Sequence, residues 1–400
     1  MINNDFVPIA SERRNKPLKC VVLETRVVTG AGGGPEKTIL NTPRYMTPFG
    51  YTTLCAYMRP PKDEGFRVLE KRAKALECPL LEVDDKGFFD LSVLSDLLRI
   101  CRENQVGIWH AHDYKSNVLG LLLRRKHPMK LVTTVHGWVE RTWKTPLYYF
   151  VDRLALRHYD HVICVSHDLY NDCLRLGVRE NRCSLIENAI DLQQFRRTLS
   201  IEEAKIQNQF PTDHLVLGSV GRLSPEKNFS DLIRVVDELI GEGEPLSLFI
   251  AGDGPSRASL QSQIDASAHP DRLHLYGFCE DIQRFYQGLD IFVLNSLREG
   301  LPNVVLEAMS YETPVVSTRV AGVPKVITNG YNGLLVDIKD TRELKERLRF
   351  LIAKPDYRRM LGENGGQTVF SRYNFGIRMK KIRDIYDSLF ETTVSHGESR

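Results

Sequence analysis

The sequence predicts an α/β fold with two successive doubly wound parallel sheets. Short apolar, β-rich segments alternate with helical patterns along the 400 residues, and this alternation is typical of parallel sheets with helices on both faces. The pattern restarts after a polar stretch at 195–213 that lacks strand character. A chain of this length has room for two to three domains. We therefore expect a first domain over 1–200, a second over 212–374 and a final segment over 375–400.

In the first half of the chain, apolar runs that suit strands are followed by loops and helical patterns. The predicted strands are Leu18–Glu24, Gly107–His110, Leu131–Val135 and His161–Val165. The predicted helices lie near Glu36–Phe49 and over Tyr114–Arg125. A glycine loop, Gly30–Gly34, joins the first strand to the first helix.

The second half repeats this opening of strand, loop and helix. Its predicted strands are His214–Val220, Leu246–Ile250, Leu273–Tyr276, Ile291–Leu294 and Pro314–Ser317. Phe229–Ile240 has apolar residues at helical spacing, and Phe375–Phe390 is predicted to be the final helix. Ligands of such sheets bind outside the carboxyl ends of the strands. We therefore expect the two domains to face each other across a cleft that encloses a ligand.

The composition is that of an ordinary soluble globular protein, with 42% apolar residues, 26% charged residues and a net charge of +3. So small a net charge argues against nucleic-acid binding through bulk electrostatics. None of the eight cysteines forms a C-x-x-C pair, so neither a zinc site nor a thioredoxin-like site is indicated. The N-terminus lacks a signal-peptide core, and no apolar run approaches the ~20 residues that span a bilayer. We therefore expect a reduced, cytoplasmic protein.

Two glutamates, Glu299 and Glu307, follow the predicted strand Ile291–Leu294. Pro302 suits the first turn of the next helix, which leaves the neighbouring amides free to donate hydrogen bonds. Carboxylates at such a site accept hydrogen bonds from sugar hydroxyls well. The alternative is that both glutamates only complement the helix dipole.

The loop Gly221–Lys227 also lies between a predicted strand and a predicted helix. Arg222 and Lys227 would converge there on a helix start. An arginine fork, a lysine point charge and free amides together suit a diphosphate, and the two cations would stabilise the charge on a leaving diphosphate. The alternative is two solvated surface cations.

Two glycine-containing turns are less specific. The segment Gly30–Glu36 does not match the dinucleotide fingerprint, but it would let the backbone approach a ligand. Ala251–Pro255 directly follows a predicted strand and includes Gly252 and Gly254. Either segment could serve only as a turn.

His136 follows the predicted strand Leu131–Val135, where it could hydrogen-bond a sugar hydroxyl or be structural. His110 and His112 are two positions apart and point the same way on a strand. No third protein ligand is evident near them in the sequence, so we do not expect a metal site.

Residues 124–157 are basic and aromatic. They contain eight basic and two acidic residues, a net charge of +6, among Trp138, Trp143, Tyr148, Tyr149 and Phe150. Such a surface suits an anionic membrane and a lipid-linked acceptor, which would place the protein at the inner face of the membrane. The alternative is a solvated face over a buried helix.

These residues resemble glycosyltransferase family 4, the retaining transferases of GT-B fold, over nearly the full length of the chain. The matching stretches in the second half are GRLSPEKN at 221–228, AGDGP at 251–255, LHLYGFCEDIQRFYQGLDIFVLNS at 273–296 and REGLPNVVLEAMSYETPVVSTRVAGVPKVI at 298–327. Weaker matches in the first half are HAHDYKSNVLGLLL at 110–123, TVHG at 134–137 and LIENAID at 185–191.

The resemblance implies a role for each matching position. Arg222 and Lys227 would bind the diphosphate, Glu299 the hydroxyls of the donor sugar and Glu307 the ribose, with His136 near the reacting centre. The implied donor-binding set is Gly33, Arg222, Lys227, Gly252, Gly254, Phe278, Glu299, Gly300, Leu301, Pro302, Asn303 and Glu307. The resemblance also implies that the first domain binds the acceptor and that the final helix crosses back to it.

The sequence therefore predicts a retaining, metal-independent hexosyltransferase that uses a UDP-, GDP- or ADP-sugar and a glycan or lipid-linked acceptor in polysaccharide or glycoconjugate biosynthesis. No cofactor beyond the donor is expected. Two alternatives stay open. One is a related GT-B enzyme, such as a phosphorylase or nucleotide-sugar epimerase, and the other is a non-catalytic protein that binds sugar nucleotides.

Overall fold

The computed structural model describes residues 18–391 except 31, 33, 88, 89, 91, 138–144, 280 and 300–302. The chain divides into two compact units. The first comprises residues 1–187 and 376–400, and the second comprises residues 188–375. The first unit therefore ends before the predicted boundary at residue 200.

The first unit contains a seven-stranded parallel sheet in the order β3-β2-β1-β4-β5-β6-β7. Its strands are β1 (Cys20–Val27), β2 (Tyr51–Arg59), β3 (Leu80–Asp84), β4 (Val106–Ala111), β5 (Lys130–Val135), β6 (His161–Cys164) and β7 (Cys183–Leu185). Its helices are α1 (Gly34–Met46), α2 (Arg67–Ala75), α3 (Ser92–Glu103), α4 (Tyr114–Arg124), α5 (Thr145–Leu156) and α6 (His167–Arg175). The strand order reverses between β1 and β4, so residues that follow these two strands share the switch point of the sheet.

The second unit contains a six-stranded parallel sheet in the order β10-β9-β8-β11-β12-β13. Its strands are β8 (Leu215–Val220), β9 (Leu246–Ala251), β10 (Leu273–Gly277), β11 (Ile291–Leu294), β12 (Val315–Thr318) and β13 (Leu334–Val336). Its helices are α7 (Ile201–Asn208), α8 (Phe229–Gly241), α9 (Arg257–Asp265), α10 (Ile282–Gln287), α11 (Asn303–Ser310), α12 (Val323–Val326), α13 (Thr341–Ala353) and α14 (Pro355–Arg372).

These two sheets confirm the predicted α/β class with two doubly wound units. The predicted helix Phe229–Ile240 is α8, whose buried side chains form a continuous apolar face against the sheet. The polar stretch at 195–213 has no strand, as expected, but it contains helix α7. Ser200 and Glu203 form a capping box at the start of α7, and this local chemistry begins a helix in a segment that its polarity had marked only as a linker.

The final helix, α15 (Phe375–Glu391), packs within the first unit from Gly376 onward. Tyr51 Oη donates to Asp387 Oδ1 over 2.6 Å, and Lys19 forms an ion pair with the same carboxylate at 2.7 Å. Arg378 donates to the backbone carbonyls of Ile186 and Glu187. Two contacts of Asp387 and two of Arg378 thus hold α15 within the first unit.

Candidate active site

The two loops that carry the predicted donor-binding charges meet at the switch point of the second sheet. Strands β8 and β11 are neighbours, with Ile291 paired to Leu217 and Phe292 to Gly218. The strand order reverses between them. Loops that follow such strands define the usual ligand crevice of an open α/β sheet.

An ion pair joins these loops directly. Lys227 Nζ lies 2.5 Å from Glu299 Oε1, and both side chains are largely buried. Ser296 Oγ donates to the same oxygen over 2.7 Å. The structure therefore brings two of the predicted site residues into contact and adds Ser296, which the sequence analysis did not single out.

Hydrogen bonds from the backbone and from an amide side chain hold the two loops in register. The amide of Leu297 donates to the Glu226 carbonyl over 2.8 Å. Asn295 Nδ2 donates to the Asn228 carbonyl over 3.2 Å. Asn228 has φ +53°, a left-handed conformation that asparagine tolerates better than most residues. The ion pair thus lies on a loop framework that is fixed independently of its charges.

The turn at Ala251–Pro255 supports the loop that carries Arg222. Backbone hydrogen bonds run from Gly221 to Ala251 and from Leu223 to Asp253, each over 3.0 Å. A Cβ at Gly252 would lie 1.8 Å from the Gly221 carbonyl oxygen, and one at Gly254 would lie 2.5 Å from the Leu223 carbonyl oxygen. Both glycines are therefore required for close packing of the two loops. Their predicted contact with the donor stays a prediction.

Glu307 lies on α11 and is 3% exposed. Tyr286 Oη, from α10, donates to Glu307 Oε2 over 2.8 Å. Burial and the neighbouring Glu307 raise the pKa of Tyr286 well above its usual value, so this hydroxyl keeps its proton. Tyr286 therefore orients the carboxylate that the sequence analysis assigned to the ribose.

The remaining predicted donor residues are placed unevenly. Arg222 is exposed, and its guanidinium makes no hydrogen bond or ion pair with a described residue. Phe278 follows β10 and is 59% exposed. Asn303 begins α11, and its Oδ1 is shielded from solvent without a hydrogen bond to any residue that the structure describes. Four predicted residues lie outside the described residues, namely Gly33, Gly300, Leu301 and Pro302.

In the first unit, a hydrogen-bonded cluster surrounds His136 at the switch point of the first sheet. His136 Nε2 lies 3.1 Å from His112 Nδ1. His112 Nε2 contacts Glu24 Oε2 in a very short hydrogen bond. Glu24 lies on β1, His112 follows β4 and His136 follows β5, so three neighbouring strands supply the cluster.

Burial controls the electrostatics of this cluster. Burial lowers the pKa of His112 to about 4, against the opposing effect of Glu24. Burial, with Arg26 and His112 nearby, also lowers the pKa of His136 well below its usual value. Burial alone would raise the pKa of Glu24, but His110 and His112 outweigh it and hold the pKa below its ordinary range. At neutral pH the cluster is a carboxylate hydrogen-bonded to a neutral imidazole.

No third metal ligand beside His110 and His112 was evident in the sequence, whereas the structure places Glu24 beside both. One ligand atom from each of the three lies within 4.8 Å of the others. However, His110 Nδ1 is already 2.6 Å from Tyr386 Oη, and its Nε2 is 2.8 Å from Thr134 Oγ1. These contacts fit a hydrogen-bond network, and a metal-free site stays a prediction.

A cavity of about 590 Å³ lies elsewhere in the second unit. His214, Ser247 and His274, which are among its lining residues, lie before or near the start of β8, β9 and β10. These are the amino ends of the strands, opposite to the ends that carry Arg222 and Glu299. None of the predicted donor residues lines it, so it is not the candidate active site.

Two known protein families match this chain, one over each half. The family described as "Glycosyltransferase Family 4" matches residues 32–194, and the family "Glycosyl transferases group 1" matches residues 200–368. The chain belongs to the family 4 glycosyltransferases. The resemblance stated from the sequence motifs is thereby confirmed, and with it the activity of a glycosyltransferase.

Individual relatives of this glycosyltransferase agree. EpsD of Bacillus subtilis (strain 168), described as a glycosyltransferase, is 29% identical over 76% of this chain and 82% of its own length. The UDP-Gal:alpha-D-GlcNAc-diphosphoundecaprenol alpha-1,3-galactosyltransferase of Escherichia coli is 26% identical over 80% of this chain and 84% of its own.

Among solved structures, Anabaena Alr3699/HepE in complex with UDP superposes with a TM-score of 0.77 at 17% identity. The match covers 92% of this chain and all of the other. The same Anabaena protein is also known in complex with UDP-glucose. This likeness confirms the predicted GT-B fold of the glycosyltransferase.

Proposed function

We propose that this glycosyltransferase moves a hexose-type sugar from a nucleotide-diphosphate donor to a glycan or lipid-linked acceptor, with retention at the anomeric carbon and without a metal. The contact between Lys227 and Glu299 carries the proposal. It brings a cation suited to a diphosphate and a carboxylate suited to sugar hydroxyls to one point at the carboxyl ends of β8 and β11.

Each partner of the ion pair keeps a group that can bind the donor. Lys227 has three N–H donors, so it can hold Glu299 and still donate to a phosphate oxygen. Glu299 uses Oε1 for both Lys227 and Ser296, and its Oε2 makes no hydrogen bond to a described residue. That oxygen is suited to accept from a sugar hydroxyl. Arg222, exposed on the same loop as Lys227, adds a second cation for the leaving diphosphate.

The proposed step exchanges one bond at the anomeric carbon for another. The bond from that carbon to the diphosphate oxygen breaks, and the electron pair leaves with the diphosphate. The acceptor hydroxyl bonds to the carbon from the same side, and its proton passes to the departing phosphate oxygen. Since the leaving group takes the proton, no separate carboxylate base is required.

The donor to test first is a UDP-sugar. The Anabaena structural neighbour is described in complex with UDP and with UDP-glucose, and the Escherichia coli relative is named for a UDP-Gal donor. A panel of UDP-, GDP- and ADP-sugars then identifies the base and the sugar that this chain uses.

We also propose that helix α5 contacts an anionic membrane that holds a lipid-linked acceptor. Phe150 is 66% exposed on α5, and Leu154 is 48% exposed one turn later. The exposed side chains Arg125 and Lys126 add positive charge near the end of α4, which packs against α5 through a hydrogen bond from Asn117 to Asp152. Apolar and basic side chains together favour an anionic bilayer.

The structure also reduces the charge expected for this surface. Arg124 forms an ion pair with Asp160, which lies just beyond the segment counted in the sequence. Trp138 and Trp143 lie outside the described residues. Among the described residues, none of the helices has the length and apolar character needed to cross a membrane.

A donor panel with two matched variants tests the transfer reaction. Release of nucleoside diphosphate from each sugar nucleotide is measured with and without candidate acceptors, for the wild type, Lys227→Met and Lys345→Met. Lys345 is the control because it is also an ion-paired lysine of the second unit and has similar exposure. We expect a loss of about 100-fold or more in kcat for Lys227→Met and none for Lys345→Met.

The same assay separates the other candidate functions. Turnover without an acceptor would indicate an epimerase, turnover only with inorganic phosphate would indicate a phosphorylase, and binding without turnover would indicate a non-catalytic protein. The anomeric configuration of the product, measured by NMR, tests retention. Loss of activity with a metal chelator would contradict metal independence.

Liposome flotation tests the membrane contact. Binding to vesicles with and without anionic lipid is compared for the wild type, the double variant Phe150→Ser/Leu154→Ser and Ile206→Ser. Ile206, on α7 of the second unit, is 67% exposed and serves as a control for removal of an exposed apolar side chain. We expect only the double variant to lose binding to anionic vesicles, and equal flotation on neutral vesicles would contradict the proposal.

A further inference from the structure

A chain of hydrogen bonds links a buried carboxylate to His136. Glu24 is 1% exposed and contacts Nε2 of His112, and Nδ1 of His112 lies 3.1 Å from Nε2 of His136. Nδ1 of His136 makes no hydrogen bond to a described residue. This series of hydrogen bonds therefore starts at the buried carboxylate of Glu24 and ends at Nδ1 of His136, to which no described residue hydrogen-bonds.

The order of donors along this chain follows from the carboxylate. An ionised Glu24 can only accept, so Nε2 of His112 must carry a proton. A neutral His112 has one N–H, which leaves Nδ1 with a lone pair. The contact of 3.1 Å then requires that Nε2 of His136 donates. A neutral His136 consequently has its lone pair on Nδ1.

The surroundings keep both imidazoles neutral. His112 stacks on His110 with ring centroids 4.5 Å apart, and this neighbouring ring adds to the effect of burial in lowering the pKa of His112. Arg26 on β1 and Arg378 on α15 also oppose a charge on His136. Burial of these rings acts in the same direction.

We propose that Glu24 and His112 are positioning residues that hold His136 as the Nε2–H tautomer, so that Nδ1 accepts a hydrogen bond from a hydroxyl of a bound sugar. This inference rests on the proposed function and on the place near the reacting centre that the family resemblance implies for His136. A neutral imidazole that accepts a hydrogen bond suits a place near the anomeric carbon, because that carbon gains positive charge in the transition state of glycosyl transfer.

A second set of contacts fixes the position of the Glu24 carboxylate in this series of hydrogen bonds. His110 Nε2 lies 2.8 Å from Thr134 Oγ1, and His110 Nδ1 lies 2.6 Å from Tyr386 Oη. Tyr386 Oη also lies 3.5 Å from Glu24 Oε1. Glu24 is therefore held from both sides, so His112 has one preferred ring orientation.

Nitrogen-15 NMR on the full-length wild-type protein with labelled histidine tests the tautomer of His136 without any substitution of Glu24, His112 or His136. His136 is assigned by the signals missing from His136→Phe. At pH 7.5 we expect its Nε2 to carry the proton and its Nδ1 to have the shift of an unprotonated nitrogen. The opposite tautomer in the wild type would overturn the proposal, whether or not a donor has been identified.

Kinetics test the consequence for transfer. His112→Phe removes the hydrogen bonds but keeps a ring of similar size, and His161→Phe is the matched control because His161 is a buried histidine of the same sheet. We expect kcat to fall about tenfold or more in His112→Phe with little change in the KM for the donor. His161→Phe should keep the wild-type kcat.

The two measurements also separate this inference from the proposed function. If no donor is turned over by the wild type, the transfer reaction fails while the NMR result still decides the tautomer. If the wild type transfers sugar and His112→Phe keeps both its kcat and the Nε2–H tautomer of His136, the positioning role is wrong. Circular dichroism of each variant confirms that the comparison is made between folded proteins.

Discussion

Lys227 and Glu299 are 72 positions apart in the chain, yet their side chains form an ion pair of 2.5 Å. The pair spans two loops that the parallel sheet brings together, since β8 and β11 are neighbours. A carboxylate and an ammonium this close act as a unit, because the position of each depends on the other.

The two side chains should therefore show non-additive effects on transfer. We expect Lys227→Met and Glu299→Gln each to lower kcat/KM, and the double variant to lose little more than the worse single variant. Steady-state kinetics of all four proteins give the coupling. Losses that multiply in the double variant would show that the two residues act independently.

Gly252 should be intolerant of any side chain. Its φ is +146°, and a Cβ would lie 1.8 Å from the Gly221 carbonyl oxygen. We expect Gly252→Ala to lower the free energy of unfolding by about 3 kcal/mol or more, measured by urea unfolding. Gly243→Ala is the control, because Gly243 has φ +94° but no atom within 4 Å of an added Cβ. It should cost only about 1 kcal/mol, and equal losses would contradict the close-packing argument.

The buried histidine His112 should lower the free energy of unfolding in mild acid. The pKa of His112 is lowered from 6.5 to about 4, so between these values the unfolded chain binds a proton that the folded chain does not. Stability then falls as the pH falls through this window. His112→Phe should remove about 2 kcal/mol of the stability difference between pH 7.5 and pH 5.

Urea unfolding at both pH values measures this difference. Ile108→Val is the control, because it removes a buried methylene from β4 and adds no titratable group. It should lower the free energy of unfolding equally at the two pH values. An unchanged pH dependence in His112→Phe would show that the pKa of His112 is the same in the folded and the unfolded protein.

Glu307 should recognise ribose hydroxyls. Tyr286 already fixes one carboxylate oxygen, so the charge is oriented before ligand binds. We expect the wild type to bind UDP about tenfold or more tighter than 2′,3′-dideoxy-UDP, since a hydrogen bond to a charged group is worth about 1.5–3 kcal/mol. Glu307→Gln should lose most of this preference, as calorimetry can measure. Glu312→Gln, an exposed glutamate nearby in the sequence, is the control.

The regular elements with strong patterns were predictable because their signals are local. The apolar face of Phe229–Ile240 and the apolar run Ile291–Leu294 specify α8 and β11 within a few residues. Strands β2 and β3 were not predicted. β2 (Tyr51–Arg59) mixes Thr, Tyr and Arg with apolar residues, and its strand character depends on burial between β1 and β3.

The candidate active site shows the same difference between local sequence signals and contacts that depend on the tertiary structure. Sequence motifs alone singled out Arg222, Lys227, Glu299, Glu307 and His136, because each has its residue type at a recognisable position after a strand. They could not show that Lys227 contacts Glu299. That contact depends on the neighbouring places of β8 and β11 in the sheet, which the order of residues along the chain does not state.

The same reason explains the part of the site that the sequence analysis missed. Glu24 lies inside an apolar strand, and nothing in the residues around it indicates a partner at position 112. Only the pairing of β1 with β4 brings the two together. Local patterns thus determined the strongly patterned strands and helices and the charged residues that follow them. The order of the strands in each sheet decided which of those charged residues meet, because neighbours in a sheet are distant in the sequence.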